Sequence, residues 1–350
     1  MFFNQISTLK KSIIIASVFL VIVALSGYWV YYITFHRPVK FKHEKKCTIY
    51  VTPETSWEEL DSMLNRCFKL ENNLAFERIA KYKNLEKSFK PGRYVFERSI
   101  SANDLVNTFK YGRQTPINVV FNSLNNLNEL AGKLGNQMMF DSIDIQRELS
   151  DNEVIESFGF NKETFPAMFI PNKYQVYWTD TPMAFLKRMK REYDKFWNQE
   201  LVEKAKMLNL TPIEVSILAS IVEKESFVAS EMPTIAGVYL NRLKANMPLQ
   251  ADPTVVFATG KFSVRRVTKK MLAVESPYNT YKNTGLPPGP ICIPSIQSIN
   301  SVLNPQKHEY LFFCASVKMD GTHVFAKTLR QHNANAEKYR KLLNKKRIYK

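Results

Sequence analysis

The sequence predicts an α+β protein with an N-terminal transmembrane helix, a small α/β module and a larger mixed α+β domain that closes with a β-hairpin and a helix. Three observations carry this expectation. Residues 12–35 contain no charge. Capped amphipathic helices alternate with short β-branched and aromatic runs such as Cys47–Val51 and Ile117–Phe121. Finally, residues 211–227 (TPIEVSILASIVEKESF) have the start signals and spacing of a buried helix, around which the rest of the chain is organised.

In chain order, residues 1–12 are a short N-terminus and 13–33 the membrane helix. Twenty-one helical residues span about 31 Å, matching a hydrocarbon core of about 30 Å. Tyr28, Trp29, Tyr31 and Tyr32 gather at one end, as an interfacial belt would. A cleavable signal peptide is the rival, but its apolar core would be shorter and end in small residues. Flanking charge favours a cytoplasmic C-terminal part: Lys10 and Lys11 precede the helix, while Arg37, Lys40, Lys42, Lys45 and Lys46 follow it. Long domains cross membranes against that bias, so orientation stays open on charge alone.

Residues 34–46 form a basic linker, and 47–113 a small module. Its elements are a strand at Cys47–Val51, a capping box at Thr55–Glu58 opening a helix with Trp57, Leu60, Leu64 and Cys67 inward, a helix at Leu74–Tyr82, a turn and strand over 90–96, and a helix from Ser101. The large domain, 114–350, starts with the strand Ile117–Phe121 and continues through polar helices. An aromatic, proline-interrupted loop follows over 165–178, its rings partly open to a ligand or packed in the core. Thr181-Pro182 opens an amphipathic helix.

Thr211, Pro212 and Glu214 start the organising helix. At about 100° per residue, Glu214, Leu218, Ile221, Val222 and Glu225 share one stripe, and Glu223 points the other way. Glu225 thus ends an apolar face, where desolvation would keep it protonated near neutrality, as a general acid requires. The plainer reading is a solvated helix end or a Lys partner. Further on, Ser230 caps a helix, Asp252-Pro253 starts another, and 276–281 and 285–291 are rigid turns. Ser295 caps a short helix, 310–316 and 322–328 form a hairpin through Asp320-Gly321, and Thr328 opens a final basic helix.

The formal charge is +17, from 49 Lys+Arg against 32 Asp+Glu, with clusters at 37–46, 187–191, 265–270 and 338–350. This surplus suits anionic partners: nucleic acid, anionic lipid or an acidic wall polymer. No zinc-finger or single-strand-binding pattern accompanies it, which argues against nucleic acid. Four scattered cysteines, without C-x-x-C, argue against zinc and thioredoxin chemistry and leave any disulfide pairing open. Serine-hydrolase, zincin and Walker motifs are absent from the sequence. His323 and His332 suit packing or substrate hydrogen bonding better than metal binding. A protonated carboxyl among aromatics and amides suits sugar chemistry, since rings stack on pyranose faces and amides pair with hydroxyls.

Six blocks then occur in order: LASIVEKES (218–226), NRL (241–243), LQADPTV (249–255), YNTY (278–281), GLPPGPI (285–291) and His323 with His332-Asn333. They resemble the signature blocks of the MltG/YceG-like endolytic murein transglycosylases, and the likeness covers nearly the whole chain. The resemblance implies a bitopic protein of the bacterial cytoplasmic (inner) membrane, with its small module LysM-like and its catalytic domain outside the cytoplasm. It implies no cofactor and no metal. The implied partners are peptidoglycan glycan strands, the membrane through the N-terminal helix, and peptidoglycan synthases, with no nucleic acid. The family's catalytic Glu falls on Glu225, and Ser226, Gln250, Asp252, Tyr278, Asn279, Tyr281 and His332 are the substrate-binding candidates. Where the family has Phe-Pro-Asp-Thr-Tyr, this chain has FIPNKY (169–174), so no catalytic role is expected there. A non-catalytic wall-binding scaffold, or a muramidase with Asp252 as helper carboxylate, is the alternative.

Overall fold

A computed structural model describes residues 2–42, 46–70, 73–262, 264 and 267–346; for 2–11 and 34 it describes the helix alone. Parts of the basic clusters at 37–46, 265–270 and 338–350 therefore lie outside the described residues. Contacts divide the chain into two units, 1–117 with 175–179, and 118–174 with 180–350.

The first unit opens with the helix Phe2–Phe35, longer than the apolar run alone predicts. Its Ser12–Ile33 portion has a mean hydropathy of 2.5 and is long and apolar enough to cross a membrane. Strand Cys47–Val51 pairs antiparallel with Gly92–Phe96, Cys47 opposite Phe96 and Val51 opposite Gly92. The two-residue strands Pro38–Val39 and Ile100–Ser101, which the sequence pattern leaves unmarked, also pair. Between the longer strands lie the helices Trp57–Cys67 and Leu74–Tyr82, and Ala102–Lys110 follows, capped by Ser101. The first capping box sits one residue later than predicted: Ser56 Oγ accepts the Glu59 N–H, and Glu59 accepts the Ser56 N–H. Placing the cap at Ser56 lets Leu60 and Leu64 bury completely against Phe68, Tyr94 and Phe109. A disulfide joins Cys47 on the strand to Cys67 at the helix end.

The second unit is mostly helical. In it Phe312–Ala315 pairs antiparallel with His323–Ala326 in the expected hairpin; the strands Ile117–Phe121 and Asn172–Val176, which pair with each other, have residues in both units. In the 165–178 loop, Phe165, Phe169 and Tyr174 are core residues, and Tyr177 is exposed. The predicted cap at Ser230 is displaced. The helix Met232–Lys244 starts after Glu231, which makes no capping bond because its carboxylate is engaged by His323.

At the centre lies the helix Pro212–Glu225, opened by the Thr211–Glu214 capping box with Pro212 in its first turn. It packs against Met232–Lys244, Asp252–Thr259 and Ile296–Leu303. The sequence predicts one buried stripe, whereas every residue from Val215 to Val222 is buried. The opposite face carries Ser216, Ala219 and Ser220, small enough for neighbours to approach closely. Ser220 Oγ accepts the Ile291 N–H at 3.0 Å, seating the 285–291 turn directly on the helix.

Gly237 shows how tightly the next helix is packed. A Cβ there would stand 2.6 Å from both the Gln306 carbonyl oxygen and His308 Nε2. Gly237→Ala gains about 1 kcal/mol of helix propensity but incurs an overpacking cost of about 1–3 kcal/mol. The expected result is a lower denaturation midpoint for the second unit, measured by urea unfolding of the detergent-solubilised protein. A higher midpoint would contradict this packing.

Candidate active site

The site is built from the C-terminal end of the central helix. Glu225 is its last residue, and Ser226 beyond it is extended, its N–H donating to the Val222 carbonyl at 3.3 Å. The backbone turns there, and the Glu225 side chain lines a cleft of about 400 Å³ with Asn125, Lys224, Asp252, Phe257 and Phe262. Desolvation pushes its carboxyl up to about 7 from 4.5, aided by the nearby charge of Asp252. Two groups oppose that rise. Tyr239 Oη donates to Glu225 Oε1 at 2.7 Å, and the Arg242 guanidinium attracts the ionised form. The remaining carboxyl oxygen can therefore carry a proton near neutral pH and release it at little cost.

Glu223, two residues earlier, has a different task. Its Oε2 accepts from Ser295 Oγ at 2.5 Å, from the Ser295 N–H at 3.3 Å and from Ser298 Oγ, holding the start of the Ile296–Leu303 helix. It does not line the cleft.

Tyr239 and Arg242 stand three residues apart on one face of Met232–Lys244. Arg242 is almost completely buried, stacks over Phe312 at 5.2 Å and faces no carboxylate at ion-pair distance among the described residues. Its Nε donates to the Leu311 carbonyl at 2.6 Å, and its Nη1 to the carbonyls of Pro248 (3.2 Å) and Leu249 (2.9 Å) and to Gln250 Oε1 (3.2 Å). Tyr239 does not stand out in sequence, where it reads as an apolar helix position, and Arg242 is marked there only as a member of the 241–243 block, with no role attached. The three-residue spacing of a hydroxyl and a cation opposite Glu225 is the signal that was available.

A larger hollow of about 530 Å³ lies in the first unit, lined by Trp57, Asp61 and Phe76 among others. Glu77 and Glu86 on its rim are exposed, whereas Glu225 is half-buried. Volume alone does not mark the chemistry.

A profile of the YceG-like family matches residues 49–338, more than four-fifths of the chain. The chain belongs to the YceG-like family. It is 29% identical over 342 residues to the endolytic murein transglycosylase of Bacillus subtilis, covering 92% of each protein. The enzyme of the same name from Streptococcus pneumoniae R6 is 28% identical over 95% of this chain and 66% of its own length. The crystal structure of a YceG-like protein from Listeria monocytogenes aligns with a TM-score of 0.56 at 27% identity, over 83% of this chain and 98% of that one.

The family blocks occupy varied positions around the acid. Asp252 lines the cleft, its Oδ1 accepting from Tyr281 Oη at 2.6 Å, and burial with that bond pushes the Tyr281 hydroxyl upward. Tyr278 packs its ring on Phe257, with centroids 4.7 Å apart. Gln250 is exposed and left-handed (φ 50°), its backbone N–H donating to the Thr280 carbonyl. Asn279 is fully buried, and its amide supports the turn by donating to the Leu272 and Val274 carbonyls and accepting the Tyr281 N–H. Ser226 is buried as well, its Oγ accepting the Val228 N–H at 3.0 Å. His332 lies against Phe312, and desolvation with Arg242 nearby lowers its basicity. His323 Nδ1 sits 2.9 Å from Glu231.

Two titrations test this electrostatic arrangement. The Tyr239 bond lowers the Glu225 pKa, so Tyr239→Phe is expected to raise it further, read by carbon NMR of the labelled carboxyl; a fall would contradict the geometry. The folded-state pKa also lies above the unfolded one. The folded protein therefore holds a proton that the unfolded chain loses, and stability declines as pH rises from 4.5 through 7. Glu225→Gln escapes that penalty. Urea unfolding should find it more stable than wild type at pH 8, by at most about 3 kcal/mol, with the gap closing below pH 4.5.

Proposed function

We propose that this protein is a membrane-anchored endolytic murein transglycosylase that cleaves the β-1,4 bond between MurNAc and GlcNAc, with Glu225 as general acid and then base. The observation that carries this reading is an enclosed carboxyl poised near pH 7 at the wall of a cleft. Family membership and two relatives named endolytic murein transglycosylase support the substrate.

Glu225 donates its proton to the glycosidic oxygen as the bond to the MurNAc anomeric carbon breaks. The carboxylate formed is stabilised by the Tyr239 hydroxyl and by Arg242. It then takes the proton of the sugar's own C6 hydroxyl while that oxygen closes on C1, leaving a 1,6-anhydro end and a reprotonated Glu225. No water is consumed, so one carboxyl serves both steps. The attack gains from being intramolecular. Apolar Phe257 and Phe262 suit a pyranose face. In this reading Tyr278, Tyr281, Gln250 and His332 are substrate contacts, Tyr281 through its bond to the cleft-lining Asp252 and Tyr278 through its packing on Phe257. Cutting nascent strands internally would end their elongation.

The small unit is, in this reading, a LysM-like module, supported by its strand–helix–helix–strand order and antiparallel pair. An oxidised Cys47–Cys67 pair favours the extracytoplasmic side for everything after the anchor, against the vote of the flanking charges. A second reading draws on Asp252, which lines the same cleft. Used as a helper carboxylate, it would direct water to the anomeric carbon and make the enzyme a muramidase.

Digestion of defined glycan strands separates these readings by mass. Wild type should release fragments ending in anhydro sugars, each one water lighter than a hydrolysis product. Glu225→Gln should lose at least 100-fold in rate. Hydrated ends would favour the muramidase, and unimpaired Glu225→Gln would leave the acid's role without support.

A further inference from the structure

A second hollow adjoins the acid cleft, and the inference drawn from it rests on the reading that the cleft cuts peptidoglycan strands. Its volume is about 290 Å³, and Asn125 and Phe257 line both spaces. Asn126, Asn128 and Lys162 rim it above an apolar floor that includes Pro290. This floor is tightly built. A side chain at Gly289 would collide with the Glu163 carbonyl, so the segment carrying Lys162 lies directly on the 285–291 turn that the central helix anchors.

The rim is biased towards donors. Asn126 Oδ1 accepts the Glu129 N–H at 2.9 Å, and Asn128 Oδ1 accepts from Gln146 Nε2 at 3.0 Å. Asn125 Oδ1 accepts from Lys224 Nζ at 2.6 Å. Each of these amide oxygens already accepts one hydrogen bond, whereas the NH₂ groups of Asn126 and Asn128 make none among the described residues and stand free for a ligand, beside the Lys162 ammonium and the Ser150 hydroxyl. Lys162 is exposed and makes no ion pair among the described residues. The nearby Glu129 carboxylate does not line the hollow and is held by the Asn125 N–H and Nδ2.

A bare sugar ring presents hydroxyls that both donate and accept, and would find few acceptors here. A carboxylate, which only accepts, fits the donors and the cation. We propose that this hollow binds a carboxylate of the acidic peptide carried by the sugar next to the scissile bond, so that the enzyme reads the peptide as well as the glycan.

The test compares strands bearing their peptides with the same strands stripped by cutting the lactyl–peptide amide and then methylated at the lactyl carboxylate that the cut frees, using full-length protein in detergent. Wild type should prefer peptide-bearing strands in kcat/KM. Lys162→Met should shrink that preference about five- to tenfold, chiefly through KM. Lys162→Arg should keep most of it, and Asn128→Asp should lower it by repulsion. A merely structural role would slow both substrates alike and leave the ratio unchanged, which overturns the proposal, as would a wild-type preference for stripped strands. Cleavage of neither strand by wild type would instead defeat the activity itself, and the proposal with it.

Discussion

The molecule depends on an expensive placement: a carboxyl partly withdrawn from water at the wall of a cleft, at the end of a helix whose middle is buried on all sides. Desolvation alone would leave Glu225 a reluctant acid, holding its proton too firmly to give it up quickly. The Tyr239 hydroxyl and the Arg242 guanidinium offset that tendency and bring the group to about 7. The balance is between burial and two preoriented dipoles and charges, with the neighbouring carboxylate of Asp252 tilting it back towards the protonated form. A residue tuned this way costs stability at neutral pH, so the rest of the second unit must be well packed to carry it.

Arg242 links that balance to the architecture. Its guanidinium binds backbone carbonyls both in the 248–250 turn and just before the C-terminal hairpin, and Asn241 beside it holds the His308 and Tyr310 carbonyls. Segments about sixty residues apart in sequence thus converge on one turn of one helix. A buried guanidinium with five donors can satisfy several carbonyls at once, which an ammonium could not do in the same geometry. The charge that favours the Glu225 carboxylate is therefore also a structural tie.

Much of the architecture was legible because it rests on local rules. The Thr211–Glu214 box, the Ser101 and Ser295 caps, the strand Cys47–Val51 and the hairpin through Asp320-Gly321 follow from short-range hydrogen-bonding chemistry and periodicity. What failed locally was decided at long range. The helix expected to be capped by Ser230 starts instead after Glu231, whose carboxylate answers to His323, ninety-two residues away. The central helix is buried all round because Ser220 receives the 285–291 turn, which no helical wheel can reveal. Around the acid, the motif blocks located the right segments, but not the tasks of individual side chains. Asn279 looks available in sequence and is occupied by backbone, whereas Tyr239 looks like core and touches the acid.

Glu223 carries a consequence of its own. Because its carboxylate is gripped by hydroxyls at the head of the Ile296–Leu303 helix, the final turn bearing Glu225 is clamped from outside as well as from within. The aim of the Glu225 carboxyl is thus inherited from a neighbour that does not line the cleft. Ser295 and Ser298 act as a remote alignment screw, and wear there would blur the chemistry while leaving every wall of the cleft in place.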